Sequence, residues 1–142
     1  YYFKNAEADE VLIIHDGNTV YGQMLLSRYF QDTYSHRAEV YSLMVDKSIR
    51  SSKVSLQVAQ ALVDQCEALG LQMVTLDVRA DSKPMSLWRF LGFKDYGVMP
   101  AYSRVGSQEF EGGMMYQMVT DLKESNVLLT NRMLCLFLSA LN

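Results

Sequence analysis

Between residues 38 and 93 the hydrophobic period changes several times, and those changes limit the folds open to the chain. AEVYSLMV (38–45) is an apolar run of strand length. From Val54 the pattern becomes helical: Val54, Val58, Ala61, Leu62, Gln65, Cys66 and Leu69 recur at three- and four-residue steps. Gly70 then acts as a stop, so this stretch is a helix with one face on a sheet. LQMVTLDVRA (71–80) reads as a strand again. Asp81 or Ser82 caps a short helix through Phe90, with Pro84 in its first turn. Leu91-Gly92-Phe93 ends it. The result is a mixed α/β domain with a strand–helix–strand–helix–strand centre.

Simpler signals flank this centre. VLIIHDGNTVYGQMLLSRYF (11–30) reads as two strands around a turn at Asp16-Gly17-Asn18, since Asp-Gly favours hairpins. DYGVM (95–99) and GMMYQMV (113–119) are two further strands, separated by the polar loop SRVGSQEFEGG (103–113). From about Glu124 a strongly apolar helix follows. Its apolar residues cover most of its circumference, so it is not expected to stand in water. Residues 1–142 are read as one domain, long enough to bury a real core. A net charge of -3 and the lack of a basic cluster argue against nucleic acid as a partner. No apolar run is long enough for a transmembrane helix, and no signal peptide is visible. Cys66 and Cys135 lack metal-ligand spacing, so no metal is expected and a reducing cytoplasm is the simplest location. His15 and His36 read as surface residues of a hairpin and a loop.

The junction DKSIRSSKVSLQ (46–57) has the order of a phosphate-cradling turn: an arginine, a short polar loop, then a helix. A helix start offers unpaired N–H groups and a positive dipole end, which suits a pyrophosphate. Glycines usually stand where backbone approaches the anion, but here those places hold Ser51, Lys53 and Ser55. An ordinary capped helix start is the other reading, for which Ser51 and Ser52 suffice.

Leu43-x-Val45, Arg50 five positions on, and a helix together resemble the acetyl-CoA-binding motif of the GNAT N-acetyltransferase superfamily. LDVRADSKPMSLWRFLGF (76–93) resembles that family's second signature, and FKDYGVMPAY with GMMYQMV is similar to its closing strand pair. The resemblance spans roughly residues 11–120. It implies a mixed, mostly antiparallel sheet with helices on both faces, and the C-terminal helix (124–142) as an addition. It implies acetyl-CoA as co-substrate and direct acetyl transfer to a primary amine in a ternary complex. On that resemblance Arg50, Ser51, Ser52, Lys53, Val54 and Ser55 hold the pyrophosphate. Leu43, Met44 and Val45 face the thioester carbonyl through a strand bulge, and Ser82 and Trp88 belong to the second signature. Glu39, four residues before Leu43, takes the place of a base, with Tyr41 on the same face. Trp88 stands where many members carry a tyrosine acid, and an indole cannot act as an acid. Tyr96, Tyr102 and Tyr116 are therefore candidates for that role, of which the sequence singles out none.

The departures at Ser51, Lys53, Ser82, Met85 and Trp88 leave two rivals on the same fold: a CoA- or acyl-CoA-binding module without transfer, and a protein-interaction domain. An open cleft beside Arg50 favours binding, and a cleft filled by Lys53 and Trp88 favours interaction. Only YYFKNAEADE precedes the first strand, too short for the strand and two helices with which the family opens, and the chain does not begin with Met. The C-terminal helix is expected to fill that vacant helix position or to cross a homodimer interface. Glu109 and Glu111, in the loop on the acceptor side, would attract a cationic amine.

Overall fold

The computed structural model describes residues 10–141. Its strands are β1 (Glu10–His15), β2 (Val20–Arg28), β3 (Arg37–Val45), β4 (Met73–Arg79), β5 (Lys94–Val105) and β6 (Gln108–Met118). Its α-helices are α1 (Ser52–Ala68), α2 (Lys83–Phe90) and α3 (Val119–Ala140). The strands form one sheet in the order β1-β2-β3-β4-β6-β5. Every neighbouring pair is antiparallel except β3 and β4, which α1 connects. The mixed, mostly antiparallel α/β fold expected from the sequence is met. The segment YYFKNAEADE lies outside the described residues except for Glu10.

Local chemistry sets the element ends. Asp16 Oδ1 accepts from the N–H groups of Asn18 and Thr19, both at 2.9 Å, and Gly17 has φ +102°, so the β1–β2 turn closes where Asp-Gly predicts. Ser51 Oγ accepts from Val54 N at 3.2 Å and caps α1. Gly70, at φ +69°, ends it in the left-handed region. Ser82 Oγ accepts from Met85 N at 3.3 Å and donates to the Arg79 carbonyl at 2.5 Å. Of the two cap candidates for α2, Ser82 is therefore the one used.

The register divides the sheet into unlike faces. Leu12, Ile14, Met24, Leu26, Ala38, Val40, Val74, Leu76, Val78 and Met115 share one face and are buried. The helices lie over it: Gln65 of α1 donates to Glu10, Met85 of α2 sits against Gly113, and α3 packs along α1. The opposite face carries Arg37, Glu39, Tyr41, Thr75, Asp77 and Tyr116. Among the described residues the helices thus cover one face rather than both.

Two boundaries depart from the sequence reading. Residues 103–113 are not a polar loop, because β5 and β6 form one long hairpin turning at Gly106. Its tip projects into solvent on both faces, so both faces are polar and composition mimics a loop. The tip is tied by Arg104 to Glu109. α3 starts at Val119, not near Glu124, because Val119 and Leu122 already pack in the core. The apolar run that ends at residue 119 belongs to two elements, β6 and α3. Asn126, also buried, donates to Gln60 of α1 at 3.1 Å. Beyond that contact Leu134, Leu136, Phe137, Leu138 and Leu141 are more than half exposed. The helix therefore leaves the body: Val119, Leu122 and Asn126 are buried and Met133 still packs against the core, while Val127 and Leu128 are already exposed. Cys66 is buried, Cys135 exposed, and the two are not bonded to each other.

Candidate functional site: a cleft and an acidic, tyrosine-rich sheet face

The parallel pairing of β3 and β4 lasts only from Arg37–Met73 to Glu39–Thr75. Beyond it β3 stays with β2, and the ends of these two strands, the start of α1 and α2 line a cleft of about 970 Å³. Leu43, Met44 and Val45 line it from β3, Arg50 and Ser51 from the turn before α1, Val54 and Ser55 from α1, and Pro84, Leu87 and Trp88 from α2. Between the pairs Leu25–Tyr41 and Gln23–Met44, β3 carries one extra residue, with Ser42 at φ +50°. This is a β-bulge, which takes backbone groups out of the ladder. A Cβ at Gly22 would overlap the Met44 carbonyl, so glycine alone lets β2 approach β3 beside the bulge.

Arg50 Nε donates to the Val45 carbonyl at 2.8 Å, holding the guanidinium at the cleft mouth. Lys47 and Lys83 also line the cleft, two cations that the sequence reading passed over. Ser52 and Lys53 are exposed and lie off the lining. Their backbone N–H groups, at the first two positions of α1, have no partner within the helix. Trp88 is buried in the wall, edge-to-face with Phe93 at 5.0 Å. The cleft is thus open, filled by neither Lys53 nor Trp88. Ser82 lies outside it, its hydroxyl engaged in capping α2.

On the sheet face opposite the described helices, Glu39 and Asp77 come from neighbouring strands to within hydrogen-bonding reach. Burial, then the hydrogen bond to Asp77 and its charge, push the Glu39 carboxyl above its ordinary value of 4.5. The Tyr29 hydroxyl donates to Glu39 Oε2 at 3.4 Å, and the Tyr102 hydroxyl donates to Asp77 Oδ2. Desolvation, followed by the bond to Asp77 and its charge, pushes Tyr102 up to about 12.

Two further irregularities, both in β5, aim its tyrosines. Tyr96 is the extra residue between Asp95 and Gly97, and two extra residues lie between Met99 and Ser103, with Ala101 at φ +52°. The side chain of Tyr102 lies against Gly112, where any Cβ would collide with it. Tyr96 packs edge-on against Tyr116 at 6.0 Å. Of the sequence candidates, Glu39, Tyr96, Tyr102 and Tyr116 share this face. His15 stays in the hairpin turn, its Nδ1 accepting from Gly17 N at 3.1 Å, and His36 in the loop before β3. Glu109 and Glu111 lie on β6, in the hairpin. The sequence reading missed Asp77, Tyr29 and Arg37. The alternation Thr75, Asp77, Arg79 along β4 was the available signal, but Asp77 meets Glu39 only through the strand register.

A six-stranded sheet with one parallel pair, splayed to form a cleft at the start of the connecting helix, is the frame of an acetyltransferase. Residues 1–93 match the family model described as "Acetyltransferase (GNAT) family", and the chain belongs to that family, whose members use acetyl-CoA. Solved structures share the fold at low identity. A GNAT-family acetyltransferase from Streptococcus pneumoniae superposes with a TM-score of 0.69 at 12% identity, over 80% of this chain and 68% of that one. The ribosomal-protein-S18-alanine N-acetyltransferase from Escherichia coli gives 0.68 at 16%, over 81% and 72%. yncA from Salmonella typhimurium, solved with its cofactor acetyl-CoA, gives 0.65 at 15%, over 78% and 65%. No curated protein matches the sequence significantly. No described helix is long and apolar enough to cross a membrane.

Proposed function

We propose that this chain transfers the acetyl group of acetyl-CoA to a primary amine, with both substrates bound at once, and that residues 1–142 act as one domain in doing so. The observation that carries this reading is the open cleft where β3 and β4 part, with the α1 N-terminus and Arg50 at its mouth. The fit to acetyl-CoA rests on that geometry. Two N–H groups of α1 without helical partners and the cations Arg50, Lys47 and Lys83 suit a pyrophosphate. Ser51 and Ser55 add hydroxyls, and Lys53 offers its N–H while its side chain stays in solvent. Leu43, Met44 and Val45, around the bulge, offer backbone donors to a carbonyl, and Val54 and Trp88 give apolar walls. Acetyl-CoA supplies the activated acyl group.

Glu39 acts as base, directly or through a water, removing the proton of the incoming ammonium. Asp77 shares that proton and Tyr102 holds Asp77. Tyr102, raised to about 12, stays protonated, and its hydroxyl is already committed to Asp77, so Tyr96 is a freer acid candidate than Tyr102. Ser82 serves by fixing α2 and, through it, Trp88. The test is thiol release from acetyl-CoA across a panel of primary amines, with Glu39→Gln as control. Turnover that Glu39→Gln suppresses supports the assignment, and absence of turnover with every amine overturns it.

One observation favours a second reading, a module that binds CoA without transfer. The α2 position facing the cleft holds an indole, Trp88, where an acid would stand. Tight CoA binding without turnover would select it. For assembly, we propose that two copies meet through the exposed apolar residues of α3, such as Leu136 and Phe137. Sedimentation as a monomer at micromolar concentration would overturn that.

A further inference from the structure

Arg37 stands apart from the arginines that pair with carboxylates. Arg28 pairs with Glu10, Arg89 with Asp95 and Arg104 with Glu109. Arg37 has no ion-pair partner among the described residues, although Glu39 lies two residues away on the same face. Its Cζ sits over the Tyr29 ring at 4.9 Å and the Tyr34 ring at 5.0 Å. Those rings are themselves edge-to-face at 6.3 Å. Its Nε is buried without a hydrogen-bond partner. Glu39 meanwhile turns toward Asp77 and accepts from Tyr29. A guanidinium gripped by two rings, near enough for its charge to oppose the rise of Glu39 but not ion-paired with it, keeps its two terminal nitrogens for another anion.

We infer that the amine acceptor also carries a carboxylate, and that Arg37 receives it while Glu39 and Asp77 receive the amine. This rests on the transferase reading above and names its substrate class: a compact amino acid, not a polyamine. Two residues along a strand span about 6.6 Å. That separation suits an amine and a carboxylate a few bonds apart, each hydrogen-bonded to its own side chain. A polyamine would bring a second positive charge against Arg37. Arg79, the other arginine on this face, is stacked over Phe110 at 4.8 Å and lies beyond Asp77, at the hairpin end. Arg37 is thus the cation nearest Glu39 along β3.

The experiment sets each of several amino acids against its decarboxylated amine, for example leucine against isoamylamine and lysine against cadaverine. Thiol release is followed at saturating acetyl-CoA. The expected result is a kcat/KM at least tenfold higher for the amino acid of each pair. Arg37→Ala should collapse that ratio, mainly by raising KM for the acid about 10- to 100-fold, the size of a lost charged hydrogen bond. Arg37→Lys should restore part of it, since it keeps the charge without the fork, and it carries the comparison if the alanine variant does not fold. Preference for the decarboxylated amines, or an equal loss on both members of each pair, overturns the inference and leaves Arg37 as a clip for the segment before β3. If neither member of any pair is acetylated, it is the transferase reading that fails. Thermal stabilisation of CoA-saturated protein by an amino acid, abolished by Arg37→Ala, would then still support the carboxylate site, and its absence would overturn it.

Discussion

The guanidinium of Arg50 reaches back five residues to the carbonyl of Val45, with Nε to O at 2.8 Å. This joins the end of β3 to the turn before α1 and fixes a cation at the mouth of the cleft. It also presents the rest of the guanidinium fork to an incoming anion. Arg50→Ala should weaken acetyl-CoA and CoA alike, about 10- to 100-fold, because the acetyl group is not what Arg50 meets. Thermal unfolding reads this directly. Ligand at 100 times its dissociation constant adds about 2.7 kcal/mol to stability, a rise of several degrees at this size. The variant should lose most of that rise at the same concentration.

Glu39 and Asp77 form a pair, and their variants should behave as one. Glu39→Gln should lower kcat about 10²- to 10⁴-fold, the usual worth of a positioned base, with little change in KM for acetyl-CoA. Asp77→Asn should act in the same direction, and the double variant should fall short of the product of the two losses, as coupled neighbours do. Full multiplicativity would show that the two carboxylates work separately.

The raised Glu39 carboxyl sets the pH behaviour. Only the carboxylate accepts a proton, so kcat/KM should rise with pH through a midpoint above 4.5. Asp77→Asn should bring that midpoint down by removing the neighbouring charge. Stability runs the other way. The folded protein holds this proton more tightly than the unfolded chain does, so the contribution of Glu39 is full below 4.5. It is lost as pH rises through the folded value. Urea midpoints across this range should show the slope in the wild type and not in Glu39→Gln.

Gly22 lies where β2 passes the bulge of β3, and a Cβ there meets a backbone carbonyl that cannot rotate away. Gly22→Ala should cost about 1–3 kcal/mol of stability and weaken acetyl-CoA as well, since Met44 and Val45 line the cleft. Gly106→Ala is the comparison: nothing lies within 4 Å of its added Cβ, but its φ of +61° adds local strain. It should lower stability without altering CoA affinity. An equal loss of affinity in both variants would show that the effect at Gly22 is general destabilisation.

Trp88 is both wall and core. Trp88→Ala should cost about 3–5 kcal/mol, because its ring also packs on Phe93. Trp88→Tyr keeps most of the volume and supplies a hydroxyl. If the missing acid limits turnover, Trp88→Tyr should raise kcat, and an unchanged kcat would show that thiolate departure does not need one.

What the sequence determined by itself is local. Period changes, capping serines and turn glycines act over a few residues, so Ser51, Gly70 and Ser82 mark the ends of α1 and the start of α2 without reference to the rest of the chain. The order strand, Arg50, helix likewise places the phosphate-facing turn, because a helix start exposes N–H groups wherever it occurs. Tertiary structure decided the rest. Glu39 and Asp77 are far apart in the chain, and only the three-residue parallel register of β3 and β4 makes them a pair. The β5–β6 hairpin was hidden because solvent on both faces erases the two-residue alternation. Tyr102 reaches Asp77 through a β5 irregularity and over a glycine, neither of which has a periodic signature. Arg37 became distinctive only when two tyrosine rings from the preceding loop closed on it. Secondary structure follows from interactions between near neighbours in the chain. A site is an agreement between distant ones, and register, bulges and packing set it only once the whole sheet has formed.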